Sequence, residues 1–485
     1  MDYSKLIKDG FSGWGQTTFE DVNNLIKALD PGYATQISAQ VGGGALRLQS
    51  LEMSLKILTY QQKNFALWRE IPKQKAFSTV EEYTQVLSPG GNIGSHAPGF
   101  VPAGVLPVES EGDYRRKYAL VKFLGTTRKV NIQQTMVNNM VPDIVAFENQ
   151  MGILWILRNL EWGLYNGYSK GNGNSEYIQF DGLNSIMNEW NAANNSKNLI
   201  DLRNAAFTPD VINDAVSVLL DNYAIPSHVI MPYKVLGSFV KTFLEKQRVF
   251  LPSQSGEGYT AGINIDNYVT QGGTVKLLPD IFNQLTPNPP SAETSTNAPT
   301  KTGSAPTAAS GNALPAGISW ENTVNNGDKI TYAITASNQY GESAPHFVSF
   351  TVSENNYAKS VVISGLLGAF NNPNTEEKPE QIHIYRAPAG VNGGTDVSKY
   401  YKIATLAYAT GNDTFEDKVE VIPNTFTAYA LQMDESVIAF KQLAPLTKMD
   451  LAVIDPSIRW MVLLFGTLVV YQPSKLVVIR NIKNS

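Results

Sequence analysis

The sequence predicts an α+β fold interrupted by an all-β sandwich. Three observations predict it. A run of about 25 residues after Pro142 carries apolar side chains at helical spacing. Short helices and strands alternate between residues 206 and 282. Beyond residue 318, strands of period two follow one another at short intervals. A chain of 485 residues exceeds one ordinary core, so two or three domains are expected.

Residues 1–70 read as an N-terminal arm and helix. Thr18 can cap a short helix bearing Val22, Leu25, Ile26 and Leu29, closed by Asp30, Pro31 and Gly32. Gly42, Gly43 and Gly44 give a joint. A second helix carries Leu48, Leu51, Leu55 and Leu58 on one side.

Residues 71–130 read as an extended β-hairpin loop. Ser88, Pro89, Gly90, Gly91, Pro98, Gly99, Pro102, Gly104 and Pro107 break every period, with strand-like pieces at Tyr83–Leu87 and Tyr118–Leu124. So long a loop is unusual in a compact domain. The segment 73–128 is expected to take its order from a neighbouring copy. Glu109, Glu111 and Asp113 precede Arg115, Arg116 and Lys117 there. Opposite charges so close together suit docking on a complementary neighbour, and these six residues are the candidate inter-subunit contact. The plain alternative is a solvated hairpin.

Residues 131–205 hold the long helix. Pro142 suits its first turn and Asp143 its dipole; Ile144, Phe147, Met151, Leu154, Leu157, Leu160 and Leu164 follow, and Gly167 stops it. Gln179–Leu183 reads as a tight turn. Residues 206–282 form a compact unit. Thr208, Pro209 and Asp210 open a helix to Asn222, Val229–Met231 is a strand, Pro232 opens another helix, and Val275–Leu278 is a strand. Residues 283–317 read as a Pro/Ser/Thr-rich linker without periodicity. Residues 318–430 are the sandwich, with Ile330, Tyr332, Ile334 and Ala336 as one face of its first strand. Residues 431–485 return to the first style, with strands at Trp460–Val470 and Leu476–Ile479. Their partners are expected before residue 283, which makes the sandwich an insertion.

Several kinds of chemistry lose support. Acidic residues number 43 against 38 basic ones, a net charge of −5, so gripping nucleic acid is not the main task. No cysteine is present, which removes disulfides and thiolate sites. His96, His228, His346 and His383 lack ligand spacing, and neither a nucleophile elbow nor a phosphate loop occurs. Glu81–Glu82 and Glu376–Glu377 sit in polar stretches rather than in a cleft. Gly171-Asn172-Gly173 is a fragment of a dinucleotide motif on the wrong side of a helix. The sequence thus predicts no enzyme, no cofactor and no metal. Trp460–Tyr471 is about half a membrane span and reads as a buried strand.

Four stretches carry a resemblance to a known family. The first is Leu67–Pro72 with Ser78–Tyr83. The second is Leu160–Gly167 with Phe180–Leu183. The third is Phe207–Asp210 through Ile225–Pro232. The last is Leu443–Leu446, Gly466–Val470, and Asn481 with Ile482. In this order they resemble the tailed-phage major capsid fold. The resemblance implies an N-arm, extended loop, spine helix, and peripheral and axial domains. It further implies a subunit that builds hexamers and pentamers of an icosahedral head around double-stranded DNA, contacted weakly. A portal protein and a separate scaffolding protein are the implied partners; no membrane is. The segments Tyr332–Ser343 and Ile384–Arg386 are similar to immunoglobulin or fibronectin type III modules. Such an insert would lie on the shell exterior, in weak contact with a glycan or host surface, in contact between capsomers, or as a tolerated ornament. The virion, assembled in host cytoplasm, is the implied location. A tail or baseplate protein, or a secreted polysaccharide hydrolase with an accessory β-module, are the alternatives.

Overall fold

The computed structural model describes residues 64–88, 101, 103–106, 109, 111–136, 143–244, 250–252, 259–261, 265–283, 289, 297–320, 324–371, 378–452 and 455–484. The two helices expected before residue 60 lie outside these residues.

The spine helix runs Ile144–Asn166, 23 residues or about 35 Å. Its start is set by Asp143, whose carboxylate accepts the N–H of Val145 and Ala146. Asp143 is therefore the cap rather than part of the first turn. Leu154, Leu157, Leu160 and Leu164 bury one face. That face packs on a four-stranded sheet in the order Lys73–Lys75, Ile438–Asp450, Ser457–Val470, Lys122–Asn131. Trp460, Val462 and Leu464 alternate inward from the longest strand, and Phe440 and Val130 join them. Side-chain burial of this kind is worth about 1.5–3 kcal/mol per large residue, which makes this layer the anchor of the fold.

A second sheet has six strands: Leu199–Asp201, Leu476–Ile482, Phe426–Leu431, His228–Pro232, Gly273–Asp280 and Asn267–Thr270. The helices Pro209–Asp221 and Tyr233–Leu244 pack against it through Ile212, Val216, Leu219, Val235 and Phe239. Thr208 stands at the cap position but makes no side-chain capping bond; Pro209 and, in the first turn, Asp210 mark the start. Strands from both ends of the chain interleave here: Phe426–Leu431 pairs with His228–Pro232.

The sandwich lies between these two strands in sequence. One sheet holds Thr307–Ala313, Lys359–Ser364 and Thr414–Asp417. The other holds Gly341–Glu342, Lys329–Asn338, Gln381–Arg386 and Tyr401–Ala407, with His346–Thr351 also on Lys329–Asn338. Ile330, Tyr332, Ile334, Val361, Ile363, Ile382 and Ile384 share the core between the sheets. The presumed linker 283–317 is thus partly structured. Thr307–Ala313 is an edge strand paired with Lys359–Ser364. Its polar, small-residue sequence gives no local strand signal, and the partner's Val361 and Ile363 supply the context.

The sandwich is rooted rather than tethered. Gln381 Nε2 donates to the carbonyls of Tyr168 (3.0 Å) and Lys170 (3.1 Å). Glu380 Oε2 accepts the N–H of Asn172 at 2.7 Å, and the Lys402 ammonium lies 5.3 Å from the centre of the Trp162 ring. At the return point, Asn481 Oδ1 accepts the N–H of Ile422 at 2.8 Å.

Candidate inter-subunit contact surface

The expected loop 71–130 is narrower than its sequence suggests. Lys73–Lys75 and Lys122–Asn131 belong to the chain's own four-stranded sheet. Val121 is buried and its N–H donates to the Thr79 carbonyl at 2.8 Å; beyond it the chain changes partner, so two strands meet where a single strand, Tyr118–Leu124, was expected. The true projection is a ribbon of Val80–Ser88 against Asp113–Leu120. Its order is thus partly intramolecular, contrary to the expectation for 73–128 as a whole. Residues 89–100 lie outside the described residues.

The register divides the ribbon into two faces. Opposed residues share a face and neighbours alternate. Glu81, Tyr83, Gln85, Arg115, Lys117 and Ala119 share one; Val80, Glu82, Thr84, Val86, Tyr114, Arg116, Tyr118 and Leu120 share the other. The first face is held at its root by the chain itself. Gln85 Nε2 donates to the Tyr471 carbonyl at 2.7 Å, and the Tyr83 and Tyr471 rings meet edge to face at 5.3 Å. Burial there pushes the Tyr83 phenol up to about 12. Glu81 Oε2 lies 3.8 Å from Lys441 Nζ.

The second face has nothing over it among the described residues. Val86, Tyr114 and Tyr118 are 60%, 65% and 63% exposed, and Val80 is 42% exposed. Arg116 and Glu82 form an ion pair amid these apolar groups. Farther out, Leu106 is 89% exposed.

The six charged residues singled out by sequence are therefore not one patch. Glu109 and Glu111 are exposed ahead of the strand, and Asp113 opens it opposite Ser88. Arg115 and Lys117 lie on the rooted face opposite Gln85 and Tyr83, whereas Arg116 lies on the open face and is used by Glu82. Sequence reading missed the apolar component, Val80, Val86, Tyr114 and Tyr118. No clean alternation marks them, since Glu82, Thr84 and Arg116 occupy the intervening positions of the same face; only the pairing register brings them together.

A second apolar surface lies on the four-stranded sheet, on the side away from the spine helix. The register aligns Phe123 with Phe465, whose rings meet at 4.7 Å, and Met449 with Met461. Phe123 is 61% exposed and Met449 50%.

Among the described residues no three His, Asp or Glu side chains group as metal ligands, and no helix is long and apolar enough to cross a membrane. His346 Nε2 meets the Ala369 carbonyl, and His383 sits between the Ser337 and Thr405 hydroxyls.

Comparison with known proteins adds three findings. A family model described as the SU10 major capsid protein matches residues 125–327. The major capsid protein of Staphylococcus phage K is 26% identical over 503 residues, covering 100% of this chain and 99% of its own. That of Staphylococcus phage S25-3 is 26% identical over 502 residues with the same coverage. Among solved structures, the holo-SrpI encapsulin complex from Synechococcus elongatus PCC 7942 overlaps at a TM-score of 0.40, with 10% identity, 92% of this chain and 96% of that one. The capsid of a native GTA particle overlaps at 0.41, with 8% identity, 92% and 98%. By sequence, then, this chain is similar along its entire length to major capsid proteins of staphylococcal phages.

Proposed function

We propose that the chain is the major capsid subunit of a bacteriophage, a structural protein that assembles into a closed icosahedral head. The observation that carries the reading is the open face of the ribbon. An isolated two-stranded ribbon is marginal in water. This one presents Val80, Val86, Tyr114 and Tyr118 to solvent along one side. A second copy of the chain is the partner that would cover it. End-to-end similarity to phage major capsid proteins supports the same reading.

A shell of identical subunits needs one set of surfaces that serves both hexamers and pentamers. The spine helix and its sheet are the rigid part. The ribbon, rooted at Tyr471 and free along its other face, is the adaptable part. Packaged DNA is a weakly held content, because phosphate binding is driven by Lys and Arg and the chain carries a net charge of −5. A portal protein and a separate scaffolding protein complete the assembly. The sandwich, whose paired sheets fit an immunoglobulin or fibronectin type III-like module, faces outward, in weak contact with a glycan or host surface.

Electron microscopy of the overexpressed chain, alone and with the scaffolding protein from the same genome, tests the reading. Closed shells with five-fold and six-fold clusters are the expected result. Tubes or small rings would point to a tail or baseplate role, and a stable monomer under all conditions would end the proposal.

A further inference from the structure

Glu161 on the spine helix and Asp280 at the end of strand Gly273–Asp280 are both 0% exposed, and Asp280 is held against that helix through Tyr165, one turn after Glu161, close enough for its charge to act on the Glu161 carboxyl. Each has further duties. Glu161 Oε1 accepts the N–H of Leu67 at 2.7 Å, and Oε2 accepts that of Trp68 at 3.0 Å. Those two amides open the short helix Ala66–Glu70, so Glu161 caps it from another element. Asp280 Oδ2 accepts the Tyr165 hydroxyl at 2.8 Å, and Oδ1 accepts the N–H of Phe282 at 2.8 Å. Two acids thus join the segment Phe65–Ile71, the spine helix and the six-stranded sheet.

No cation forms an ion pair with either acid among the described residues, although Lys73 stands near enough for the Glu161 charge to act on it. Lys73 donates instead to the carbonyls of Trp68 (2.7 Å) and Ile71 (3.3 Å). Lys276 is taken by Glu70 at 2.9 Å, Arg69 lies 3.3 Å from the same carboxylate, and His228 approaches Glu70 at 3.9 Å. Tyr429, stacked on Tyr165, donates its hydroxyl hydrogen bond to Asn184 Oδ1. Two adjacent carboxylates shut away from water cannot both ionise cheaply, so one keeps its proton.

We propose that Glu161 and Asp280 form a proton-held latch that fastens the segment Phe65–Ile71 to the spine helix and releases it when that proton is lost. Burial, and then the Asp280 charge, push the Glu161 carboxyl well above the usual carboxylate range. The folded chain therefore holds this proton more tightly than the unfolded chain does. The stability it contributes is complete below the ordinary value of 4.5 and declines as pH rises through the folded value. Acid sets the latch and alkali opens it, whatever the assembly state of the chain.

The test is hydrogen exchange of the purified full chain between pH 5.5 and 9, corrected for intrinsic exchange rates. Protection at Leu67 and Trp68 should fall with rising pH, by up to about tenfold per pH unit, the limit for release of one proton. Protection at Trp460 and Leu464 serves as the reference and should fall less. In Asp280→Asn the amide can donate to an ionised Glu161, and the slope at Leu67 and Trp68 should shrink, because burial still raises the Glu161 carboxyl. Glu161→Gln, which cannot titrate, should remove the slope and covers the case in which Asp280→Asn fails to fold. A flat profile in the wild type, or an undiminished slope in either variant, overturns the latch.

Discussion

Arg386 and Asp417 form an ion pair inside the sandwich, with side chains only 2% and 4% exposed. Tyr332 donates to the same Asp417 oxygen at 2.9 Å, and the guanidinium lies 5.2 Å from the centre of the Trp320 ring. Arg386 Nη2 also donates to the Val421 carbonyl at 2.6 Å, which links this core to the strand returning to the main sheet. Asp417→Ala would leave a buried cation and a buried hydroxyl without their acceptor. The expected loss is about 3–5 kcal/mol, read as a lowered unfolding midpoint of the sandwich in calorimetry. Double replacement of Arg386 and Asp417 by leucine should cost clearly less than the single change.

On the ribbon, Tyr114→Ala with Tyr118→Ala should leave the subunit folded and stop it assembling. Both rings are more than half exposed in the single chain, so their loss removes little from its own core. Sedimentation would show subunits or small oligomers in place of shells, with an unchanged far-ultraviolet circular dichroism spectrum. Shells at wild-type yield would remove the ribbon face from the contact.

Reversing the exposed pair by Arg116→Glu together with Glu82→Arg should leave subunit stability within about 0.5 kcal/mol, since surface pairs contribute little. Either single change puts like charges on one face and should slow assembly most at low salt. Light-scattering kinetics at two ionic strengths would check this.

The end of the spine helix depends on close backbone approach. A Cβ at Gly182 would stand 2.6 Å from the Gly163 carbonyl oxygen and 2.7 Å from the Gly167 nitrogen. Gly182→Ala therefore forces the turn after the helix apart. A loss of about 1–3 kcal/mol is expected in denaturant unfolding.

His383 gives the sandwich a pH dependence opposite in sign to that of the carboxyl latch. Burial, and then the Lys402 charge, hold its imidazole well below the ordinary 6.5. The unfolded chain binds a proton there that the folded chain refuses. Stability is complete above pH 6.5 and falls as pH drops below it toward the folded value. In His383→Gln the acid-side slope of the sandwich midpoint should flatten, even if the variant is less stable throughout.

Much of this architecture is legible in the chain, and the gaps have physical causes. The spine helix shows itself through Asp143, its leucine spacing and Gly167. The helix Leu183–Ala193 was hidden behind Gly182, although Leu183 and Met187 stand one turn apart on its buried side. Arg115, Arg116 and Lys117 look like one cluster when counted along the chain; strand geometry sends Arg116 to the opposite face. The break at Val121 falls where the chain changes partner, from Val80–Ser88 to Ser457–Val470, which no local pattern encodes. The Glu161–Asp280 pair joins two acids far apart in sequence, and neither has a distinctive neighbourhood.

Strand Phe426–Leu431 lies between Leu476–Ile482 and His228–Pro232, yet it is synthesised only after the whole sandwich. A ribosome that has finished the spine helix and Gly273–Asp280 has produced His228–Pro232 as a bare edge, because Phe426–Leu431 and Leu476–Ile482 are both still to come. Val229, Ile230 and Met231 must then wait beside a vacant edge while more than a hundred further residues emerge. The sandwich can condense by itself during that interval. The half-built sheet cannot, and nascent chains stalled there should be the ones that recruit chaperones.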